Sequence, residues 1–288
     1  MSYRGRLAPS PTGSLHLGHA RTFLVAWLRA RIAGGALVLR IEDLDPPRVL
    51  PGAAARIVED LRWLGLDWDE GPDVGGPYGP YVQSERSDRY AWALRRLDEL
   101  GLLYPCTCTR REVQRVSSAP HEDDEEAAPR YPGTCRSRPI REDRPASLRF
   151  RDGDFIVRRA DGLWAYQLAV AVDDGTMQIT EVVRGADLLP CTPWQVALLR
   201  ALELPVPRYL HVPLVRGPDG RRLSKRHGAV AIASMRQAGV PPQRVIGRLA
   251  ASLGVVPEGS ELSPRELLSA SGIERLDELV ARAAPGVQ

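Results

Sequence analysis

The tightest constraint on this chain is the segment Arg6-Leu-Ala-Pro-Ser-Pro-Thr-Gly-Ser-Leu-His-Leu-Gly-His19. A short apolar run, Tyr3 to Ala8, reads as a strand, and Pro9 and Pro11 stop it because proline donates no ladder hydrogen bond. Gly13 permits a tight turn. From about His16, apolar residues return with helical spacing at Leu17, Ala20, Phe23, Leu24, Trp27, Leu28 and Ile32. A strand feeding a helix through a glycine turn gathers unpaired backbone N–H groups and the positive end of a helix dipole, which suits an anion. His16 and His19 flank Gly18 in the first turn. Imidazoles there can donate to a phosphate, and Gly18 lets a flat ring or ribose approach the backbone. A lone histidine in such a place is ordinarily a cap or a half-buried filler. Two of the chain's five, around a glycine, point to phosphate binding instead.

This stretch resembles the His-x-Gly-His signature of class I aminoacyl-tRNA synthetases. The preceding Arg-x-Ala-Pro-Ser-Pro-Thr-Gly narrows the likeness to the glutamyl/glutaminyl branch. Later blocks extend it. Ala36 to Ile41 is an apolar run ending in Arg40-Ile-Glu-Asp-Leu-Asp45, a strand with carboxylates at its C-terminal end, which in open α/β sheets faces the ligand crevice. In that branch the matching glutamate, here Glu42, receives the substrate's α-amino group. The block Ala165-Tyr166-Gln-Leu-Ala, with Val183-Arg184-Gly-Ala-Asp187 after it, resembles the block that supplies a tyrosine and an arginine to substrate carboxylates. Finally, His211-Val-Pro-Leu-Val215 reads as a strand before Arg222-Leu-Ser-Lys-Arg226, which holds the chain's one lysine, Lys225, among 38 arginines. This loop is similar to the second class I signature. Its first basic position is Arg222, which keeps the charge but not the compact ammonium.

The resemblance spans about residues 4–229 and implies roles residue by residue. His16, His19 and Lys225 are the expected catalytic residues; Pro9, Gly18 and Ser224 join them in binding ATP, which brings Mg²⁺. Arg6, Ala8, Ser10, Glu42, Tyr166 and Arg184 are expected to hold L-glutamate, since a buried side-chain carboxylate needs charged partners. The implied reaction joins the α-carboxylate of glutamate to the α-phosphate of ATP and releases pyrophosphate, so the protein's task is positioning and charge stabilisation.

Between these blocks lies a cysteine-bearing stretch. Tyr104-Pro-Cys106-Thr-Cys108 precedes a short helical segment opened by Thr109, and Tyr131-Pro-Gly-Thr-Cys135 follows a polar loop with an acidic centre at 122–126. Three cysteines within 30 residues, in an otherwise ordinary soluble composition, read as a thiolate site for zinc. Short paralogues of the glutamyl branch show a Cys-x-Cys…Tyr-x-x-x-Cys pattern, which implies Cys106, Cys108, Tyr131 and Cys135 as ligands of one structural Zn²⁺. His121 is the competing fourth ligand. Cys191 reads as a small buried residue.

The expected architecture is α/β: a Rossmann-like, doubly wound parallel sheet with an inserted zinc-bearing subdomain and a small helical tail. The expected boundaries are 1–102 and 179–236 for the catalytic halves, 103–178 for the insertion and 237–288 for the tail. Helices are expected at 51–66, 84–100, 192–202, 241–253, 263–271 and 273–283, and a hairpin-like strand pair at 155–174 around Asp161-Gly162. No run is long and apolar enough for a membrane span or a signal peptide, and four cysteines in an ordinary soluble composition suit a reducing cytoplasm; a monomer is expected. A net charge of +3 is too mild to identify a nucleic-acid partner. After residue 229 the glutamyl-tRNA synthetases continue into anticodon-binding domains that these last residues do not resemble. The short paralogues dock a tRNA(Asp) anticodon arm instead and esterify glutamate onto its queuosine, the partner expected here. Ordinary charging of a tRNA 3′ end, and small-molecule adenylate formation without RNA, are the alternatives.

Overall fold

Parallel strands cannot be joined by a tight turn, so a crossover must return the chain to the end of the sheet where it began. The first elements do this. Strands β1 (Arg4–Leu7) and β2 (Ala36–Leu39) pair in parallel, Arg4 opposite Ala36 and Leu7 opposite Leu39, with helix α1 (Leu17–Ile32) between them in the chain. The computed structural model describes residues 2–109, 111–113, 131–138, 140–214, 231–270, 276 and 278. His121, the acidic 122–126 stretch, and Arg222, Ser224 and Lys225 lie outside the described residues, as does most of the expected 273–283 helix.

The chain divides into two compact units. The first comprises residues 1–86, 174–192 and 205–288. Beyond β2, Leu39 donates to the Glu70 carbonyl at 2.7 Å and Ile41 to the Tyr81 carbonyl at 2.9 Å, which extends the parallel pairing. A second parallel pair, β6 (Glu181–Gly185) and β7 (Arg208–Val212), sets Arg184 opposite His211. It is tied to β1 by a Thr180 N–H bond to the Arg4 carbonyl at 2.9 Å and by Tyr3 Oη donating to Glu181 at 2.9 Å. Leu24, Val25 and Leu28 of α1 are fully buried among Leu7, Leu37 and Leu39. Three short helices follow: α6 (Ile232–Gln237), α7 (Pro242–Ala251) and α8 (Pro264–Leu267). Gly247 of α7 lies against the chain at Ser260, where a β-carbon would sit 1.7 Å from the carbonyl oxygen. Ser263 caps α8 in a reciprocal bond pattern with Glu266.

The second unit comprises residues 87–173 and 193–204. It holds α3 (Ser87–Glu99) and an antiparallel sheet of order β3 (Leu103–Cys106), β4 (Ser147–Phe150), β5 (Ile156–Arg158). Thr109 does open a helical turn, because its hydroxyl accepts from the Glu112 N–H while the Glu112 carboxylate accepts from Thr109.

Several expectations shift. The expected 51–66 helix is α2 (Ala53–Trp63), with Gly65 at a φ of 78° just past its end. Ser84 does not cap α3; its N–H and hydroxyl bind the Asp43 carboxylate at 2.8 and 2.7 Å, and a 3-10 turn, Gln83–Arg86, precedes the helix. The second half of the expected 155–174 hairpin is helical: β5 turns at Asp161-Gly162, and α4 (Tyr166–Thr176) follows. Leu168 through Val172 are all buried, so no polar face reveals a period of 3.6, and a short apolar run of this kind reads equally as a strand. Between α4 and β7 lies α5 (Thr192–Ala201). Cys191 ends a 3-10 turn and is only half-buried, because that turn presents no buried face.

Candidate active site and cysteine cluster

At the start of α1 the two imidazoles meet. His16 is the N-cap, its side chain accepts from the His19 N–H at 3.4 Å, and the two rings stack at 3.6 Å between centroids. Capping and ligand binding are therefore not exclusive here. An Nδ1 that accepts keeps the imidazole proton on Nε2, which makes that nitrogen a donor. A β-carbon on Gly18 would lie 3.2 Å from the His16 ring, so this glycine makes room for the histidine itself. Ala231 bridges to His16, and the Ile232 N–H donates to the Leu15 carbonyl at 2.8 Å. The chain following the Leu-Ser-Lys-Arg segment therefore re-enters beside His16.

At the C-terminal ends of β1 and β2 the sequence places carboxylates and arginines together. The Arg40 N–H binds the Leu7 carbonyl at 2.8 Å and the Glu42 N–H the Pro9 carbonyl at 2.9 Å, so Glu42 lies beside the Ala8-Pro9-Ser10 segment. Ser10 is exposed and Pro9 buried. Arg40 is fully buried and bridges two acids. It donates to Glu42 Oε1 at 2.9 Å and to Asp174 Oδ1 at 2.8 Å. Arg6 Nε stands 3.5 Å from the same Asp174 oxygen, and its Nη1 donates to the Val183 carbonyl at 2.7 Å. Burial pushes the Glu42 carboxyl above the usual carboxylate range, with Arg40 and Arg6 pulling the other way. On β6, Arg184 donates from Nε to His211 Nε2 at 3.3 Å and from Nη2 to the Leu188 carbonyl and Thr192 Oγ1. Its guanidinium carbon lies 4.9 Å from the centre of the Tyr209 ring.

Arg6, Glu42 and Arg184 are thus gathered within the first unit. Tyr166 opens α4, belongs to the second unit and is 37% exposed. Three contributors escape sequence reasoning: Arg40, Asp174 and His211. The Asp173-Asp174 pair closing an apolar run is the one local signal. Nothing in the sequence links His211 to Arg184, 27 residues away.

The second unit holds the cysteines. The sulfurs of Cys106, Cys108 and Cys135 lie within 4.8 Å of one another. Tyr131 Oη is 3.3 Å from the Cys106 sulfur and 3.6 Å from that of Cys108, and Cys108 and Cys135 approach to 3.5 Å. Tetrahedral zinc coordination sets sulfurs about 3.8 Å apart and a sulfur about 3.5 Å from an oxygen, so the four groups fit a single cation. The Arg149 guanidinium covers the Tyr131 ring at 3.7 Å. Burial pushes the Cys108 thiol up to about 11 and Tyr131 well above its ordinary range. Burial raises Cys106 too, but its hydrogen bonding with Tyr131 and Arg149 brings it below the usual thiol value. Groups of this kind ionise together around a divalent cation.

A phosphate-suited helix start on a parallel βαβ unit, with paired arginines and a glutamate at the strand ends, defines a class. The chain belongs to the tRNA synthetases class I (E and Q), catalytic domain, a family matched over residues 2–153 and 146–284. It is 50% identical to the Glutamyl-Q tRNA(Asp) synthetase of Symbiobacterium thermophilum, over 94% of this chain and 93% of that one. The protein of the same name from Nitratidesulfovibrio vulgaris is also 50% identical, over 91% and 90% of the two chains. Among solved structures, the glutamate-tRNA synthetase of Elizabethkingia anophelis superposes with a TM-score of 0.80 at 29% identity. That match covers 95% of this chain but only 66% of the larger one.

Proposed function

We propose that this protein activates L-glutamate with ATP and transfers it to the queuosine of the tRNA(Asp) anticodon. The observation that carries the reading is its 50% identity, over nearly their whole lengths, to relatives named for that activity. The gathered Arg6, Glu42 and Arg184 support it chemically. An acidic amino acid presents two carboxylates and one ammonium, and this site offers two arginines and a glutamate.

In the first step an oxygen of the glutamate α-carboxylate attacks the α-phosphorus of ATP, the bond to the bridging oxygen breaks, and pyrophosphate leaves. Arg6 and Arg184 hold the carboxylates, Glu42 takes the ammonium, and Ser10 adds a hydroxyl. His16 and His19 donate to the phosphates, where negative charge builds up. Lys225 steadies the departing pyrophosphate. Ala231 beside His16 supports that role, because the six residue-to-residue steps from it to Lys225 span at most about 22 Å. Mg²⁺ bound with ATP would screen the phosphate charge. In the second step a hydroxyl of the queuosine cyclopentenediol attacks the acyl carbon, and AMP leaves. Its two hydroxyls imitate a ribose diol.

Cys106, Cys108, Tyr131 and Cys135 would hold one Zn²⁺ in a structural role. No position stays open at such a closed site, so the ion would fix the loop after β3 and take no part in the chemistry.

The test is glutamate-dependent ATP–pyrophosphate exchange, followed by transfer to three acceptors. These are tRNA(Asp) with queuosine, tRNA(Asp) without it, and tRNA(Glu). Transfer to the queuosine form alone is expected; efficient charging of tRNA(Glu) would restore the ordinary synthetase reading.

A further inference from the structure

We propose that neutral His211 is a positioning residue for Arg184, orienting its guanidinium through one bare ring nitrogen. The inference deepens the glutamate reading of the site and rests on it. Arg184 and His211 are opposite one another in the parallel register of β6 and β7, so their side chains emerge side by side. Arg184 Nε can only donate, and it points at His211 Nε2 at 3.3 Å. Thr192 Oγ1 accepts from Arg184 Nη2 at 2.8 Å, which turns its own proton toward His211 Nε2 at 3.1 Å. Two donors therefore converge on the same nitrogen. That arrangement needs Nε2 unprotonated, with the ring proton on Nδ1.

The surroundings hold the ring neutral. Burial and the cations Arg184 and Arg6 disfavour imidazolium, Asp187 opposes them weakly, and the histidine is pushed down to about 4. Tyr209 lies parallel to the ring, 6.3 Å away and 8° from coplanar. A protonated His211 would lose both accepted bonds and set a second positive charge against Arg184. Arg184 meets an imidazole, a hydroxyl, a backbone carbonyl and the face of the Tyr209 ring. These contacts aim the guanidinium.

Two measurements test this. The first is long-range ¹H–¹⁵N correlation of the histidine rings in the full-length protein, with His211→Gln used for assignment. The expected signature is an unprotonated Nε2 that does not titrate between about pH 8 and pH 5.5. A protonated Nε2, or a midpoint near the ordinary 6.5 or so, overturns the inference whatever the protein's activity. The second is pyrophosphate exchange with His211→Gln and His211→Leu, each checked for folding by circular dichroism. Glutamine keeps an acceptor and should leave the KM for glutamate close to that of the unaltered protein. Leucine should raise it roughly ten- to a hundredfold with the KM for ATP unchanged. Equal effects of both variants, or parallel rises in both KM values, would mean a merely structural histidine. Absence of exchange in the unaltered protein would overturn the glutamate reading, while the ring spectrum would still decide the tautomer.

Discussion

Replacing Arg40 by methionine probes the buried charge cluster on which the site is built. The side chain is fully buried, and its guanidinium gives Glu42 Oε1 bonds at 2.9 and 3.3 Å and Asp174 Oδ1 one at 2.8 Å. Asp174 keeps Arg6 at 3.5 Å, so the stranded group is Glu42, whose side chain is only 8% exposed. Removing one partner of a buried ion pair costs about 3–5 kcal/mol, because the other charge is left without compensation. The sign of the pH dependence follows from Glu42. Its carboxyl is raised in the folded state by burial, against the pull of Arg40 and Arg6. A carboxyl raised on folding contributes stability that is full below its unfolded value and is lost as pH rises through the folded value. Without Arg40 the folded value climbs further, so the variant should lose most at about pH 7.5 and recover part of the loss at about pH 5. Urea unfolding followed by tryptophan fluorescence at the two pH values measures this. A loss below about 1 kcal/mol, the range of an exposed pair, or the same loss at both pH values, refutes the reasoning.

Other outcomes are expected. Lys225→Ala should lower kcat for pyrophosphate exchange roughly 100- to 1,000-fold with little change in the KM for glutamate, since its charge serves mainly the transition state; near-normal turnover would remove the lysine from the machinery. Washed protein should carry about one zinc per chain by elemental analysis, lost in Cys135→Ala and weakened in Tyr131→Phe. Metal-free protein would sink that site, and full retention by the phenylalanine variant would remove the tyrosine from the ligand set. Gly247→Ala, which ordinarily would favour a helix, should instead destabilise by about 3 kcal/mol or more, because its β-carbon would meet the Ser260 carbonyl; an unchanged midpoint in the same urea assay would contradict the packing.

What the sequence determined by itself is what depends on near neighbours. The strand–turn–helix from Arg4 to Ile32 follows from prolines, a glycine and a helical apolar period. The caps at Thr109 and Ser263 follow from a hydroxyl three residues before a glutamate, a relation contained within one helical turn. The cluster of Cys106, Cys108 and Cys135 was legible because the three thiols fall on two short segments, while Tyr131 came from the family resemblance alone. Tertiary structure decided the rest. Leu168 to Val172 carries no local signal separating strand from helix, because burial on every side hides the period. Ser84 begins the expected 84–100 helix, yet Asp43, brought near by folding, takes both its donors. Arg40 meets Asp174 across 134 residues, and Arg184 meets His211 because two parallel strands fell into one register. A buried charge is tolerable only where another segment supplies its partner. The sequence therefore shows which residues could bear the chemistry, and the packing of distant strands decides which side chains hold them in position.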